Sequence, residues 1–395
     1  MEFAGIIAEY DPFHNGHAEQ FRMLRAKGSG KIAVCMSDGA TQRGGIPILP
    51  SRVRTEAALA AGADLVLGLP APYACLGAEG FAAAGVAQLT ALGCDTLAFG
   101  AETPDADLLM RAAELVDSPE LSQRLPGLMG QGMTFAAARA AAAEQLVPGM
   151  GEFLQQPNNI LGVEYCKAIL RQGSHLKPLP LPRVGAGHND DRTGEVMGRK
   201  IASASKLREL AAGQGLAAVE DYVPSRAALL YRESVDRGEL SDMQKFSIAV
   251  LSRLRCRTPE ELAGLRGLSE GLENRLYAAI RKAADVEDLY TLLKTKRYPH
   301  ARLRRLVLDA AMNVTAEQVP EQPPWLHVLG ARRAALGTLR YAAIPASTSL
   351  AELSRLSDES AALSRLHSDF VDFSALCRVH TMPAGLAFTA KPVLL

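Results

Sequence analysis

Short apolar runs alternate with longer amphipathic stretches through the first half of the chain. The runs are rich in Ile, Val, Leu and Ala and have the length of strands; they lie at residues 5–8, 31–36, 63–70, 96–99 and 176–184. Apolar residues recur at helical spacing between and after them, at residues 18–27, 55–61, 77–92, 105–116, 121–129 and 134–144. Because parallel strands require crossovers of this length, the pattern predicts an α/β fold with a parallel sheet.

The pattern changes near residue 217, where strand-like runs give way to apolar residues at helical intervals. We therefore predict two parts, an α/β domain at residues 1–216 and a mainly α-helical domain at residues 217–395. A length of 395 residues is what two or three domains of average size would need. Hydrophobic residues make up 48% of the chain and charged residues 22%, which is a globular and not a disordered composition.

The first strand leads directly into the residues that carry the candidate chemistry. Asp11-Pro12-Phe13 predicts a turn, and a helix is predicted from about Gly16. His14 and His17 would then lie at the carboxyl edge of the sheet beside a helix N-terminus, where such sheets bind ligands and anions are favoured. Gly16 lets the backbone approach a phosphate, and the imidazoles can donate hydrogen bonds to phosphoryl oxygens. The arrangement predicts attack on an α-phosphate with pyrophosphate as the leaving group.

Two histidines three residues apart also fit an ordinary helix start or half of a metal site. A metal site would need further ligands, and the neighbouring sequence offers no cluster of Cys or His. We therefore predict nucleotide chemistry and no dedicated metal site. The six cysteines are scattered without C-x-x-C spacing and are predicted to be reduced.

Residues 9–17 resemble the HxGH signature of the nucleotidylyltransferase superfamily. Their sequence, EYDPFHNGH, is similar to the opening of the tRNA(Met) cytidine acetate ligase family, which has Asn where this chain has Asp11. Further segments that resemble the family lie at residues 42–44, 64–70, 77–81, 157–162, 201–208, 294–298, 324–330 and 390–393. The likeness covers nearly the whole chain and thins at residues 42–54 and 347–373. It implies a Rossmann-like nucleotidylyltransferase domain with a parallel sheet, followed by a mostly α-helical domain.

This resemblance implies an ATP site in which His14 and His17 are catalytic. The residues that it assigns to nucleotide binding are Ile7, Ala8, Glu9, Tyr10, Asp11, Pro12, Phe13, His14, Asn15, Gly16, His17, Gly100, Asn158, Asn159, Arg183, Val184, Ser203, Ser205 and Arg208. The nucleoside contacts among them would be Gly100, Asn158, Asn159 and Arg183, and the phosphate contacts would be Ser203, Ser205 and Arg208. Without a ligand, a turn would explain the glycine, and helix caps would explain the asparagines and serines.

A basic segment at residues 294–305 is the candidate nucleic-acid surface. Its positive side chains are Lys294, Lys296, Arg297, Arg302, Arg304 and Arg305. Tyr290 and Tyr298 are interleaved with them and could stack on bases while the cations follow the phosphates. Because the chain has 43 basic and 43 acidic residues, a nucleic acid must be met by such a local patch. A solvated helix face is the alternative, and we predict RNA binding.

The resemblance implies an ATP-dependent ligase that works in two steps. Acetate would attack the ATP α-phosphate to give acetyl-adenylate, and the wobble cytidine of elongator tRNA(Met) would then take the acetyl group. Mg²⁺ is expected as the companion of ATP. A cytoplasmic protein without a membrane or protein partner is expected, because the N-terminus has no signal sequence and no run approaches the ~18 apolar residues of a membrane span.

Two other functions are also compatible with the sequence. One is a nucleotidylyltransferase that acts on a small phosphorylated metabolite, for which the basic segment would be incidental. The other is a non-catalytic tRNA-binding protein with a decayed nucleotide site, because residues 50–54 replace the family's Asp-Lys-aromatic-x-Arg helix start and lack its lysine. Arg43, Arg52 and Arg54 either supply the missing charge or form a solvated cluster at a helix start.

Overall fold

The structure is a computed structural model that describes residues 1–183, 194–196, 198–268, 271–295 and 298–395. Its strands are β1 (Phe3–Ala8), β2 (Lys31–Ser37), β3 (Leu65–Leu69), β4 (Thr96–Ala101), β5 (Lys177–Pro182), β6 (Gly194–Val196), β7 (Arg199–Ile201), β8 (Leu326–Ala331), β9 (Ala346–Ser347) and β10 (Val393–Leu394).

The helices connect these strands and make up most of the second half of the chain. The α-helices are α1 (Asn15–Ala26), α2 (Ser51–Ala61), α3 (Ala71–Ala74), α4 (Ala78–Leu92), α5 (Ala106–Val116), α6 (Pro119–Gly130), α7 (Phe135–Leu146), α8 (Met150–Phe153), α9 (Pro157–Arg171), α10 (Ala204–Gln214), α11 (Ser225–Asp236), α12 (Met243–Arg255), α13 (Pro259–Ala263), α14 (Leu272–Ile280), α15 (Val286–Leu293), α16 (His300–Ala311), α17 (Leu350–Leu353), α18 (Asp358–Leu376) and α19 (Leu386–Thr389). Helices of the 3-10 type lie at Leu216–Tyr222 and Arg333–Tyr341.

A mostly parallel sheet forms the centre of the fold. Its strand order is β10-β8-β3-β2-β1-β4-β5, with β9 paired to β8. β1 pairs in parallel with β2 on one side and with β4 on the other, and β2–β3 and β4–β5 are also parallel pairs. The carboxyl ends of β1, β4 and β5 therefore meet at one edge of the sheet. This confirms the predicted α/β class and its parallel sheet.

Helix α4 lies directly against β1. A Cβ on Gly85 of α4 would lie 2.6 Å from Cδ1 of Ile7, and a Cβ on Gly5 of β1 would lie 2.7 Å from Cδ1 of Leu89. A side chain at either position would press the helix away from the strand, because interiors packed to this density have no room for it. The two glycines thus allow the second half of α4 to pack closely against β1.

The opposite face of the sheet is covered by helices from both halves of the chain. Ile6 of β1 and Phe21 of α1 share one core cluster with Val53 of α2 and Tyr231 of α11. Helix α11 belongs to the part of the chain that was predicted to be a separate helical domain. The helices around the start of α1 therefore include one from beyond residue 216.

The central sheet also contains strands from beyond residue 216. β8 pairs antiparallel with β3, with Leu65 opposite Ala331 and Gly68 opposite His327. β9 and β10 pair in parallel with β8. The short strand predicted at residues 324–330 is therefore part of the main sheet, which residues 1–216 do not build alone.

The rest of the second half is helical, as its apolar spacing predicts. Phe246 of α12 and Phe373 of α18 contact edge to face with ring centroids 5.8 Å apart, in a core cluster that α14, α15 and α16 share. Ala40 and Ile46, from the loop after β2, join the same cluster. That loop is thus anchored in the helical part. Within the described ranges, no helix combines the length and the apolar character needed to cross a membrane.

Candidate active site

The turn that follows β1 places two histidines at the start of α1. Tyr10 has a left-handed backbone with a φ of 51°, and its side chain is buried. His14 is the N-cap residue of α1, and His17 lies in its first turn. Nδ1 of His14 accepts a hydrogen bond from the Gly16 N–H at 3.1 Å, and Nδ1 of His17 accepts one from the His14 N–H at 3.3 Å. The two imidazoles therefore cap the helix reciprocally.

The imidazole rings of His14 and His17 are stacked, with centroids 3.7 Å apart and 22° between their planes. Because each Nδ1 is an acceptor, a neutral ring carries its proton on Nε2. Burial lowers the pKa of His14 to about 3, with a smaller contribution from the charges of Arg183 and Arg208. Burial also lowers the pKa of His17 well below its ordinary value, and His14 and Arg183 add to the shift. At neutral pH the pair thus offers two uncharged Nε2–H donors.

A cleft of about 440 Å³ opens beside this pair, at the carboxyl ends of β1, β4 and β5. The predicted nucleotide-binding residues that line it are Ile7, Ala8, Glu9, Tyr10, Asp11, His14, Gly16, His17, Gly100, Asn158, Arg183, Ser203, Ser205 and Arg208. Four other predicted residues are buried and do not line the cleft; they are Pro12, Phe13, Asn15 and Asn159. Val184 lies outside the described residues. The cleft thus unites the two half-sites that the sequence predicts around His14 and Ser203.

Phe13 and Asn15 hold the turn in place through contacts with distant segments, and their predicted contact with the nucleotide stays a prediction. Asn15 is buried, and its Nδ2 donates to the Lys200 carbonyl at 2.9 Å. Phe13 is fully buried, and its carbonyl accepts from the Tyr231 hydroxyl at 2.7 Å. Pro12 is buried in the same turn. These contacts tie the turn to β7 and α11, so the histidines have a rigid base.

Asn158 and Asn159 begin α9 but have different surroundings. Nδ2 of Asn158 donates to Oε1 of Glu102 at 2.5 Å, and the residue lines the cleft. Asn159 is fully buried; its Oδ1 accepts from the Thr103 N–H at 3.0 Å, and its Nδ2 donates to Oε1 of Gln156 at 2.7 Å. The amide of Asn159 is therefore occupied by the protein itself. The amide thus has a structural role, and its predicted contact with the nucleotide stays a prediction.

Glu102, which the sequence reasoning missed, organises the wall around Arg183. Its carboxylate accepts from the N–H groups of Asn158 at 3.3 Å and Asn159 at 2.9 Å, so it caps the start of α9. It also lies 3.7 Å from Nη1 of Arg183. Within the described part of the chain, that Nη1 has no hydrogen-bond partner. This nitrogen is buried, so it lies within the wall of the cleft beside Glu102.

The N-terminus of α10 forms the opposite wall. Ser203 is the N-cap residue, and its hydroxyl accepts a hydrogen bond from the first turn of the helix. The hydroxyl of Ser205 accepts from Nη1 of Arg43 at 3.2 Å and from Nη2 of Arg208 at 3.1 Å. Nη1 of Arg208 also donates to the Asp11 carbonyl at 2.7 Å. The wall combines the first N–H groups of a helix with two guanidinium groups, a set suited to phosphate oxygens.

Aromatic residues that were not predicted line another part of the cleft. Phe81, Phe99 and Tyr165 all face it, together with Gln20. The rings of Phe99 and Tyr165 have centroids 5.3 Å apart and give an apolar surface against which a purine base could pack. Phe99 directly precedes the predicted Gly100. The available signal was therefore its position at the end of a strand that reaches the binding edge.

The basic segment rests on buried tyrosines. The guanidinium of Arg302 lies 4.7 Å from the ring centroid of Tyr298, and that of Arg304 lies 5.3 Å from the centroid of Tyr290. Both rings are buried, so the prediction that they stack on bases is wrong. Lys294 is exposed, and its Nζ donates to the Tyr298 carbonyl at 3.1 Å. The two tyrosine rings thus hold the guanidinium groups of Arg302 and Arg304 by cation–π contacts.

The other members of the predicted RNA surface differ from these. Lys296 and Arg297 lie outside the described residues. Arg305 is half-buried, and its Nη1 donates to the carbonyl of Gln42 at 3.1 Å. Because Gln42 lines the cleft, Arg305 joins the basic helix α16 to the candidate active site.

The arginines at residues 52 and 54 lie away from the cleft. Arg54 is fully buried and donates to the carbonyl of Glu9 at 2.6 Å and to two other backbone carbonyls. Arg52 forms an ion pair with Glu239 at 3.4 Å. Arg43, by contrast, lines the cleft beside Ser205. Of the three arginines considered for phosphate charge, the geometry supports Arg43.

A buried cluster of Asp38, His327 and His367 has the residue types of a metal site, with ligand atoms within 4.8 Å of one another. Nδ1 of His367 accepts from the Ala71 N–H at 3.2 Å, so the proton of this ring resides on Nε2, 3.3 Å from Oδ2 of Asp38. A metal ion at Nε2 would displace that proton and leave the ring with none. We therefore interpret Asp38 and His367 as a hydrogen-bonded pair. His327 lies beside this pair, and burial lowers its pKa to about 4.

Known proteins resemble this chain over most of its length. Residues 1–375 match the family model described as HIGH Nucleotidyl Transferase. The tRNA(Met) cytidine acetate ligase of Syntrophotalea carbinolica is 34% identical over 357 residues, which cover 86% of this chain and 83% of that protein. The protein of the same name from Latilactobacillus sakei is 35% identical over 340 residues, which cover 84% and 82%.

Solved structures agree with the sequence relatives. The crystal structure of apo Thermotoga maritima TmcAL has a TM-score of 0.91 and 26% identity and covers 100% of both chains. Thermotoga maritima TmcAL bound with alpha-thio ATP has a TM-score of 0.89, again with 26% identity and complete coverage of both chains. That structural neighbour thus binds an ATP analogue.

Proposed function

Because this chain belongs to the tRNA(Met) cytidine acetate ligase family of the HIGH nucleotidyl transferases, we propose that it activates acetate as acetyl-adenylate and acetylates the wobble cytidine of elongator tRNA(Met). The observation that carries this proposal is the stacked pair of neutral histidines at the start of α1. Their Nε2–H groups lie in a cleft whose opposite wall is the arginine-lined start of α10. The arrangement fits a phosphate chain held between two helix N-termini.

In the proposed first step, a carboxylate oxygen of acetate attacks the α-phosphorus of ATP. The bond from that phosphorus to the oxygen that bridges to the β-phosphate breaks, and pyrophosphate leaves with the electron pair. His14 and His17 donate hydrogen bonds to the α-phosphate oxygens as negative charge grows on them. Because both rings are neutral, they stabilise this charge without losing a proton. Arg208 and Arg43 offset the charge of the departing pyrophosphate.

In the proposed second step, the exocyclic amine of the cytidine attacks the carbonyl carbon of acetyl-adenylate. A nitrogen–carbon bond forms, the carbon–oxygen bond to the phosphate breaks, and AMP leaves as the amine loses a proton to solvent. Asn158, Arg183 and the Phe99–Tyr165 surface would hold the adenosine throughout. Mg²⁺ would arrive with ATP, held mainly by phosphate oxygens and water.

The tRNA is proposed to bind along α16 and the segment before it. Lys294, Arg302 and Arg304 are the described cations for this role, and Arg302 and Arg304 are held by ring contacts with buried tyrosines. In the proposed complex these cations contact tRNA phosphates. Arg302→Ala should therefore weaken tRNA binding and reduce the slope of log Kd against log salt by about 1. Filter binding at several salt concentrations measures both.

The first step is tested by exchange of labelled pyrophosphate into ATP, with and without acetate, in the absence of tRNA. Exchange should require acetate and should be lost in His14→Ala. The matched control is His175→Ala, which removes an exposed imidazole remote from the cleft. It should leave the exchange unchanged.

Two results would contradict the proposal. Exchange that proceeds equally well without acetate, or that needs a phosphorylated metabolite instead, would indicate another nucleotidylyltransferase. Absence of exchange in a preparation that binds tRNA would indicate an RNA-binding protein with an inactive nucleotide site. In either case the same histidine variants remain informative, because they report on the cleft and not on the RNA surface.

A further inference from the structure

A tight turn in the loop between β2 and α2 lies between the cleft and α16. The Thr41 N–H donates to the Gly45 carbonyl at 2.9 Å, and the Gly44 N–H donates to the Thr41 carbonyl at 3.0 Å. Gly44 has a φ of +80°, a conformation that glycine adopts without steric cost. Residues 41–45 are called the bridging turn below.

On one side, the bridging turn contacts the cleft. The Gln42 N–H donates to Oε1 of Glu9 at 2.6 Å, and Nη1 of Arg43 donates to the hydroxyl of Ser205 at 3.2 Å. Gln42 and Arg43 both line the cleft. The position of the turn therefore determines where the charge of Arg43 lies relative to the start of α10.

On the other side, the bridging turn rests on α16. Nη1 of Arg305 donates to the Gln42 carbonyl at 3.1 Å. A Cβ on Gly44 would lie 2.3 Å from the backbone nitrogen of Arg305 and 2.4 Å from the carbonyl carbon of Arg304, so the two backbones are in direct contact. A Cβ on Gly77 would lie 4.0 Å from Nη2 of Arg305. The guanidinium thus reaches the residue that precedes α4.

We propose that Arg305 is a positioning residue of the ATP site, which acts through Gln42 to hold the bridging turn and Arg43 in place, and that it is not an RNA contact. This inference rests on the proposed function. The carbonyl of Gln42 is a fixed acceptor, and the half-buried guanidinium of Arg305 is engaged there. Arg302, on the same helix, is exposed. One helix therefore serves two sites, with the exposed Arg302 for RNA and Arg305 for the nucleotide.

The test compares Arg305→Ala with Arg302→Ala, which remove the same charge from the same helix. Calorimetric titration with ATP, without acetate or tRNA, should give a Kd about tenfold higher for Arg305→Ala, since a hydrogen bond from a charged donor contributes on that order. The Kd of Arg302→Ala for ATP should equal that of the wild type. Titration with tRNA should reverse the ranking of the two variants.

A second substitution at the contact between the bridging turn and α16 provides an independent check. Gly44→Ala should also weaken ATP binding, because the new Cβ would push the turn away from α16. The double variant Gly44→Ala with Arg305→Ala should be little weaker than either single variant, since both changes break one contact. Full additivity of the two effects would count against the proposal.

An ATP Kd for Arg305→Ala equal to the wild-type value would overturn the proposal. If the alanine variant does not fold, Arg305→Met keeps the aliphatic stem and removes the donors; the same tenfold weakening is expected, and wild-type affinity would again overturn it. ATP binding needs no acetyl transfer. A wild-type protein that binds ATP without acetate-dependent exchange would therefore sink the proposed function and leave the Arg305 comparison valid.

Discussion

A Cβ on Gly16 would lie 3.0 Å from Cε1 and 3.1 Å from Nδ1 of the His14 ring. The ring folds back over the glycine because its Nδ1 accepts the Gly16 N–H. Glycine is thus needed here for the position of the imidazole, in addition to the approach of a phosphate. The position of the His14 ring therefore depends on the absence of a side chain at residue 16.

Gly16→Ala should therefore displace the His14 ring by a few tenths of an ångström and reduce acetate-dependent pyrophosphate exchange by on the order of tenfold, because a reacting centre is sensitive to small displacements. The fold should survive, because the change is confined to the first turn of α1. Gly127→Ala is the control, since a Cβ there meets no atom within 4 Å. Equal activity of the two alanine variants would show that the ring does not depend on the glycine.

Stability should depend on pH through the buried histidines. The pKa of His14 is lowered to about 3 by burial, whereas the unfolded chain takes up this proton near the ordinary value of 6.5. The unfolded state therefore binds more protons between these values, and stability is full above pH 6.5 and is lost as the pH falls toward 3. The slope should reach about 1.4 kcal/mol per pH unit for this residue, and His17 adds to it with the same sign.

His14→Gln should make the free energy of unfolding less sensitive to pH below 6.5. Urea denaturation at pH 7 and pH 5 measures this for the variant and the wild type. Wild-type exchange activity should also show no ionisation near pH 6.5 that belongs to these rings, since both are already neutral. A pH dependence of stability that is identical in the two proteins would exclude the assigned role of His14.

The adjacent asparagines should separate stability from binding. Asn159→Ala removes a buried amide with several partners and should cost about 2–4 kcal/mol of unfolding free energy. Asn158→Ala should cost less than about 1 kcal/mol and should raise the Kd for ATP. Urea denaturation and ATP titration of both variants test this, and the reverse pattern would reassign the two residues.

The protein should be indifferent to zinc and to chelators. The proton on Nε2 of His367 blocks metal binding at the Asp38 cluster, so neither zinc nor a chelator should shift the Tm by more than about 1 °C. Calorimetry with each addition measures this. A zinc-dependent rise of several degrees that disappears in His367→Ala would identify a metal site.

Acid should weaken the Asp38–His367 pair. Burial alone would raise the pKa of Asp38, but hydrogen bonds from His367 and Ser51 and the charge of Arg54 together hold it below its ordinary value. The pair therefore contributes stability that is present above the ordinary Asp value and is lost as the pH falls through the folded-state pKa. Asp38→Asn should remove this contribution, which urea denaturation near pH 3 and at pH 7 would reveal.

Local periodicity predicts the parts of the fold that local chemistry determines. The five strands expected in the first half appear as β1 to β5, and the turn after β1 leads into α1 as expected. Ser203 caps α10, as a serine ahead of a helix does. The grouping of the two half-sites follows only in part from these elements, because the His14 half-site lies at the edge of the parallel sheet, whereas α10 begins after β7 of a separate two-stranded sheet.

Features set by the packing of distant segments could not be read in this way. A short apolar run at residues 324–330 indicates a strand, but the run does not predict that this strand pairs with β3. Asn158 and Asn159 are chemically identical, and the orientation of α9 alone decides which amide is buried. Tyr290 and Tyr298 stand among cations in the sequence, yet both rings are buried, Tyr290 on the inner face of α15 and Tyr298 in the segment before α16.

The pairing of β3 with β8 also bears on how the chain matures. β3 is made early in synthesis, and its outer row of N–H and C=O groups stays without a partner until β8 has left the ribosome. An unpaired strand edge is a template for association with other chains. A nascent or truncated protein that ends before β8 would carry this exposed edge, so the last part of the chain protects the first from association with other chains.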